Sequence, residues 1–203
     1  MKKLIKTTLL ILFLTVVSLI TNNNVFAQKP ITIDGIWLNG EFSQKGVDAF
    51  TPLNDGEHYA RVDKDSKGNP AIYVYDYKTT TVTDSVFSVS KNVSPDSVKN
   101  FSSLSFSFDA LQGHLLIPTR VEKIYRRGSK ANYYVFDIKK KILQSLSTNG
   151  KQISPAFSPD GKKIAFVRDN NLFIKDLETG TEKQITTDGK NNFIINGIND
   201  WVY

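Results

Sequence analysis

Apolar and polar positions alternate in short runs along most of the chain. Leu104-Ser105-Phe106-Ser107-Phe108 alternates strictly and predicts a strand with Leu104, Phe106 and Phe108 on one face. Ala71-Ile72-Tyr73-Val74-Tyr75, Tyr133-Tyr134-Val135-Phe136 and Ile164-Ala165-Phe166-Val167 are runs of β-branched and aromatic residues, the composition that suits a pleated surface. Gly and Asx residues separate these runs at hairpin intervals. In Ser158-Pro159-Asp160-Gly161, Pro159 presets φ for a type I turn and Gly161 takes the left-handed conformation that returns the chain to a strand. Asn170-Asn171 and Glu178-Thr179-Gly180 read as the next two turns. Thr32–Asn39 reads as a short helix capped by Thr32, and the Ser/Thr-rich stretch Thr79–Ser107 as strand edges and loops.

The runs Ile153–Phe157, Ile164–Arg168, Leu172–Asp176 and Lys183–Thr187 make a four-stranded meander of about 35 residues, the size of one propeller blade. The pattern repeats. Phe106-Ser107-Phe108-Asp109 echoes Phe157-Ser158-Pro159-Asp160 at an offset of 51, and Phe136-Asp137-Ile138 echoes Lys175-Asp176-Leu177 at an offset of 39. Tyr75-Asp76-Tyr77 is a third copy. The two offsets differ by 12, so the middle unit carries about 12 extra residues near Thr119–Asn132. A connecting hairpin absorbs such an insert more readily than a core strand does. It holds Arg120, Glu122, Lys123, Tyr125, Arg126, Arg127 and Lys130, which makes it the first place to look for function. The expected fold is all-β, an incomplete β-propeller of about three to four four-stranded blades. A few blades cannot close a ring and would leave a sheet edge unpaired, so the chain reads as the start of a longer protein.

The first 27 residues do not fit this pattern. Lys2, Lys3 and Lys6 precede the apolar run Leu9–Ile20, and Val25-Phe26-Ala27 fits a signal-peptidase site. The run is about 12 residues, short of the ~20 a spanning helix needs. The mature chain is expected to begin near Gln28 in an exported compartment, with no membrane contact after cleavage. The net charge of +6 includes those three lysines, and the +3 left over 176 residues gives no reason to invoke nucleic acid. The absence of cysteine rules out a disulfide scaffold, a thiolate metal site and a Cys nucleophile. No Gly-x-Ser-x-Gly occurs, and the two histidines, His58 and His114, read as strand-edge and turn residues without a paired nucleophile. Neither has a partner at metal-ligand spacing, so no metal and no cofactor is expected.

Several segments together resemble the N-terminal part of a bacterial dipeptidyl peptidase IV, of the prolyl-oligopeptidase group of serine peptidases. They are Ile31-Thr32-Ile33-Asp34-Gly35-Ile36-Trp37, Asn54-Asp55-Gly56-Glu57-His58-Tyr59, Glu122-Lys123-Ile124-Tyr125-Arg126-Arg127, Pro155–Val167, and the terminal Asn196-Gly197-Ile198-Asn199-Asp200-Trp201-Val202-Tyr203. The Ser-Pro-Asp-Gly turn is common to many propellers, whereas Asp-Trp-Val-Tyr after Asn-Gly-Ile is more specific. The resemblance implies an eight-bladed propeller capping an α/β-hydrolase domain, and release of Xaa-Pro or Xaa-Ala dipeptides from peptides with a free N-terminus. It implies that Arg126 binds the substrate carbonyl, with Trp201 and Tyr203 as pocket neighbours. A Glu pair directly after the Asp-Trp-Val-Tyr segment would hold the terminal ammonium. It also implies that catalytic Ser, Asp and His lie in a hydrolase domain beyond this sequence, so that this chain alone is inactive. A homodimer is one state open to the full-length parent.

Residues 28–50 are then a lead-in segment and 51–203 the partial propeller. Without the likeness, Arg126-Arg127 reads as a solvated hairpin tip and Trp201 and Tyr203 as core aromatics. The competing functional reading is a non-catalytic exported propeller that binds peptides or a partner protein.

Overall fold

The computed structural model describes residues 30–44, 46, 48–124 and 128–198. The expected signal segment therefore lies outside the described residues, as do Arg126, Trp201 and Tyr203. No helix among the described residues is long and apolar enough to cross a membrane. The chain divides between residues 47 and 48 into two compact units.

The first unit contains α1 (Ile33–Trp37). Thr32 is extended, at φ −117° and ψ 153°, and its Oγ1 accepts a hydrogen bond from the Gly35 N–H at 2.9 Å. That bond satisfies one of the donors a helix start leaves open. The N–H groups of Leu38 and Asn39 both reach back to the Asp34 carbonyl at 2.9 Å and end the helix.

Among its described residues the second unit is built of three successive four-stranded antiparallel meanders, within the three to four expected. The first comprises β1 (Thr51–Pro52), β2 (His58–Lys64), β3 (Pro70–Asp76) and β4 (Val82–Ser88) in chain order. A short helix, α2 (Val89–Asn92), and a 3₁₀ helix (Pro95–Phe101) follow. The second meander is β5 (Ser107–Phe108), β6 (His114–Lys123), β7 (Ser129–Asp137) and β8 (Ile142–Ser145). The third is β9 (Gln152–Phe157), β10 (Lys163–Arg168), β11 (Asn171–Asp176) and β12 (Glu182–Gln184). It matches the expected runs to within a few residues at each end.

The repeated Asp is a turn device. The Oδ1 of Asp76 accepts the N–H groups of Lys78 and Thr79 at 2.8 and 2.7 Å, and that of Asp176 accepts those of Glu178 and Thr179 at 3.1 and 2.9 Å. Asp137 does the same for the Lys140 N–H at 2.8 Å. The residue after each Asp donates its N–H to the hairpin before it: Tyr77 to Glu57, Ile138 to Gly113, Leu177 to Lys162, all at 2.9–3.0 Å. A short carboxylate close to its own backbone is chemically suited to this. The Ser158–Gly161 turn forms as expected, with Gly161 at φ +69° and its N–H on the Ser158 carbonyl. A Cβ at Gly161 would overlap Asp109 Oδ2, so this glycine also permits a close approach of the second meander to the third.

Three local expectations need correction. The β10–β11 turn is Asp169-Asn170, one residue earlier than Asn170-Asn171. Both take positive φ, as a two-residue type I′ hairpin requires, and Arg168 pairs with Asn171. Thr79–Ser107 is not only strand edge and loop but holds both helices. Val89, Val93 and Phe101 supply the apolar contacts, at spacings that the polar residues between them obscure. Only Ser107–Phe108 of the alternating run pairs as a strand, with Leu115–Leu116. Asn100 of the 3₁₀ helix meets Arg120 of β6. Leu104, Phe106 and Phe108 nonetheless all pack on the core.

The middle meander is buried on both faces. Leu115, Ile117 and Phe136 pack with Ala60, Ile72, Val74 and Phe87 of the first, while Leu116 and Val135 pack with Ile164, Phe166 and Phe173 of the third. Side chains alternate along a strand, so one contiguous apolar run serves two cores. The second and third meanders are joined into one eight-stranded sheet rather than standing apart. One edge of β7 pairs with β6, and the other is divided: Tyr134–Asp137 pair with β8, and Lys130–Ala131 pair with β9.

Candidate functional site

The hairpin of β6 and β7 is where the inserted residues lie. Its inner part is a regular ladder from His114↔Asp137 to Thr119↔Asn132, and the register then shifts before Glu122↔Lys130 and Lys123↔Ser129. Arg120 occupies the bulge at φ +48°, and the Thr119 hydroxyl donates to the Asn132 carbonyl at 3.0 Å. A bulge bends a strand and re-aims the residues beyond it. The Ile124 N–H donates to the Gly128 carbonyl at 2.8 Å, closing the ladder below residues 125–127. Arg126, the residue singled out in the sequence, falls in that trio, outside the described residues.

Among the described residues, three side-chain contacts hold this outer part of the hairpin. Arg120 Nε donates to Asn100 Oδ1 at 3.0 Å. Glu122 Oε1 lies 3.0 Å from Lys130 Nζ, across the ladder, and Glu122 Oε2 lies 3.1 Å from Lys151 Nζ, beside the start of β9. The hydrogen bonds from Lys130 and then Lys151 hold the Glu122 carboxyl below the usual glutamate range. Buried Gln152 seals the place where β7 changes partners. Its Oε1 accepts the Tyr133 N–H at 3.0 Å, its Nε2 donates to the Gly150 carbonyl, and the Leu146 N–H donates to the Tyr133 carbonyl at 2.8 Å.

The roles of Asn100, Lys151 and Gln152 in holding the hairpin are not legible in the sequence. These residues belong to other elements and become neighbours only through folding. Glu122 carried a legible signal, as the only acid between residues 119 and 132.

Each histidine opens a strand directly after a turn, and each lies against an aspartate of that turn. His58 Nδ1 is 2.8 Å from Asp55 Oδ2, and His114 Nδ1 is 3.2 Å from Asp109 Oδ2. Asp55 is held below the usual aspartate range by the Glu57 N–H and then by His58. Asp109 also accepts the N–H groups of Gly113 and His114 at 2.7 and 2.9 Å, and His114 Nε2 is 3.9 Å from Asp137. These carboxylates brace turns. Among the described residues no group of three His, Cys, Asp or Glu is placed to hold a metal ion.

Residues 109–203 match the family model of the dipeptidyl peptidase IV (DPP IV) N-terminal region. Dipeptidyl peptidase 4 of Porphyromonas gingivalis superposes with a TM-score of 0.69 at 35% identity, over 86% of this chain and 24% of that one. A protein of Arthroderma gypseum called "Probable dipeptidyl-aminopeptidase B" is 40% identical over 92 residues, which is 44% of this chain and 10% of its own length. The protein of the same name in Neurospora crassa is 26% identical over 187 residues, 86% of this chain and 20% of its own. The chain thus spans between about a tenth and a quarter of the relatives it matches.

Proposed function

We propose, from the premise that this chain carries the N-terminal propeller region of a dipeptidyl peptidase IV-like protein, that its β6–β7 hairpin presents Arg126 to the backbone carbonyl of a peptide substrate. The full-length protein is then a serine dipeptidyl peptidase that releases Xaa-Pro and Xaa-Ala dipeptides. The observation that carries this reading is the hairpin itself. It is an extension beyond the ordinary blade, lying within the matched residues and held by contacts to two neighbouring elements.

The chemistry is consistent. A guanidinium offers planar, permanently charged donors that match a carbonyl or carboxylate oxygen, and it acts at fixed geometry only if the strand beneath it is fixed. Such a contact contributes through positioning, so it needs a nucleophile at the right distance. That nucleophile, a hydrolase domain and a carboxylate pair for the substrate ammonium belong in this reading to the greater part of the protein outside this chain.

The test is Arg126→Ala in the full-length protein, assayed on a glycyl-prolyl chromogenic substrate. The expected loss in kcat/KM is about 10- to 100-fold, the equivalent of roughly 1.4–3 kcal/mol. An unchanged kcat/KM removes Arg126 from the site. Peptide binding that depends on Arg126 with no cleavage at all assigns the protein instead to the non-catalytic reading.

A further inference from the structure

We infer that Glu122 is a positioning residue for the substrate-binding end of the hairpin, acting through Lys130 and Lys151 to fix the outer strands against β9; this rests on the reading of Arg126 given above.

The outer hairpin is rich in positive charge. Residues 119–132 contain Arg120, Lys123, Arg126, Arg127 and Lys130, with Glu122 the only acid. That one carboxylate uses one oxygen for Lys130 on β7 and the other for Lys151, at 3.0 and 3.1 Å. Lys151 directly precedes Gln152, which pairs with Ala131 in the ladder between β7 and β9. Glu122 therefore ties the far strand of the hairpin, its near strand and the third meander at one point. The tie lies between the bulge at Arg120 and residues 125–127. A bulge leaves one residue unpaired and loosens the ladder locally, so a fixing contact beyond it has leverage on the tip.

The three side chains are 52%, 40% and 30% exposed, in the order Glu122, Lys130, Lys151. Exposed pairs add little to folding stability. Their effect is therefore expected on the direction of the hairpin rather than on whether the domain folds. Removing the carboxylate would leave two ammonium groups facing each other without a counter-charge, and repulsion would part the strands that Glu122 now draws together.

The experiment is a double-mutant cycle in the full-length protein, with the glycyl-prolyl substrate and a melting curve for each variant. Glu122→Gln is expected to raise KM about three- to tenfold, leave kcat within about twofold and leave the melting temperature unchanged. In the Arg126→Ala background the same change is expected to add nothing, because the tip it positions has lost its guanidinium. Exchanging the pair, Glu122→Lys with Lys130→Glu, is expected to recover much of the lost affinity. An unaltered KM in Glu122→Gln, or additive effects of the two substitutions, overturns the inference while leaving Arg126 in place. So does a parallel fall of kcat and melting temperature in Glu122→Gln, which marks a folding role. A silent Arg126→Ala removes the underlying reading and the inference with it.

Discussion

Arg168 shows how one residue can join three elements. It is 9% exposed, and its Nη1 donates to Glu182 Oε1 and to Ser147 Oγ, both at 2.8 Å, while the guanidinium lies 4.0 Å from the centre of the Phe173 ring. Arg can be buried here because its fork is matched by acceptors and its flat face by an aromatic ring. Burial pushes the Glu182 carboxyl up, but hydrogen bonds from Ser147 and Arg168 outweigh it, and the net shift is down. A carboxyl depressed in the folded state contributes stability that is fully present above its unfolded value, about 4.3. That contribution is lost as pH falls through the folded value. Denaturant titrations between about pH 5 and pH 3 are expected to show stability falling with acid, with a shallower fall in Glu182→Gln. Equal slopes in the two proteins would show that Glu182 is not among the groups responsible.

At the scale of the element, the sequence pattern is informative where a strand meets its neighbours in a regular way. The third meander is legible because its strands are short, three of the four carry clustered apolar residues, and Gly or Asx turns separate them. The division of β7 between two partners is not legible, because no local pattern tells a strand that its edge will change hands. The side chain that makes this division tolerable is Gln152, fully buried and bonded to the Tyr133 N–H. Gln152→Ala leaves that donor without its acceptor and is expected to cost about 1–3 kcal/mol. Hydrogen exchange at Tyr133, Lys130 and Ala131 should quicken in the variant. Unchanged exchange there would mean that another group takes over the bond. The helices after β4 were hidden for a similar reason. Val89, Val93 and Phe101 find the core from a Ser-rich stretch whose composition favours loops.

At the scale of the whole second unit, β7 is the common member. It pairs with β6, β8 and β9, and its Phe136 packs edge-on to Phe87 of the first meander with ring centroids 5.0 Å apart. Two cores that share one strand are expected to unfold together. Phe136→Ala is predicted to lower stability by about 3–5 kcal/mol in a single transition. Fluorescence and circular dichroism should trace the same denaturant curve, and native-state exchange should be slowest in β7. Two separated transitions would show that the meanders are independent units.

The candidate site divides along the same line. The inserted hairpin and its basic residues were evident from the unequal spacing of the repeats, and the likeness to the dipeptidyl peptidase family came from motifs spread along the chain. Composition and period fixed strand, turn and repeat because these depend on residues close in sequence, whose steric and hydrogen-bonding preferences act wherever they occur. The joining of two meanders through β7, the burial of Gln152 and Arg168, and the meeting of Glu122 with Lys151 were decided only by tertiary structure. Each brings together groups 14 to 29 residues apart, and at such separations no local preference selects the partner. Packing and the pairing of buried polar groups make that choice.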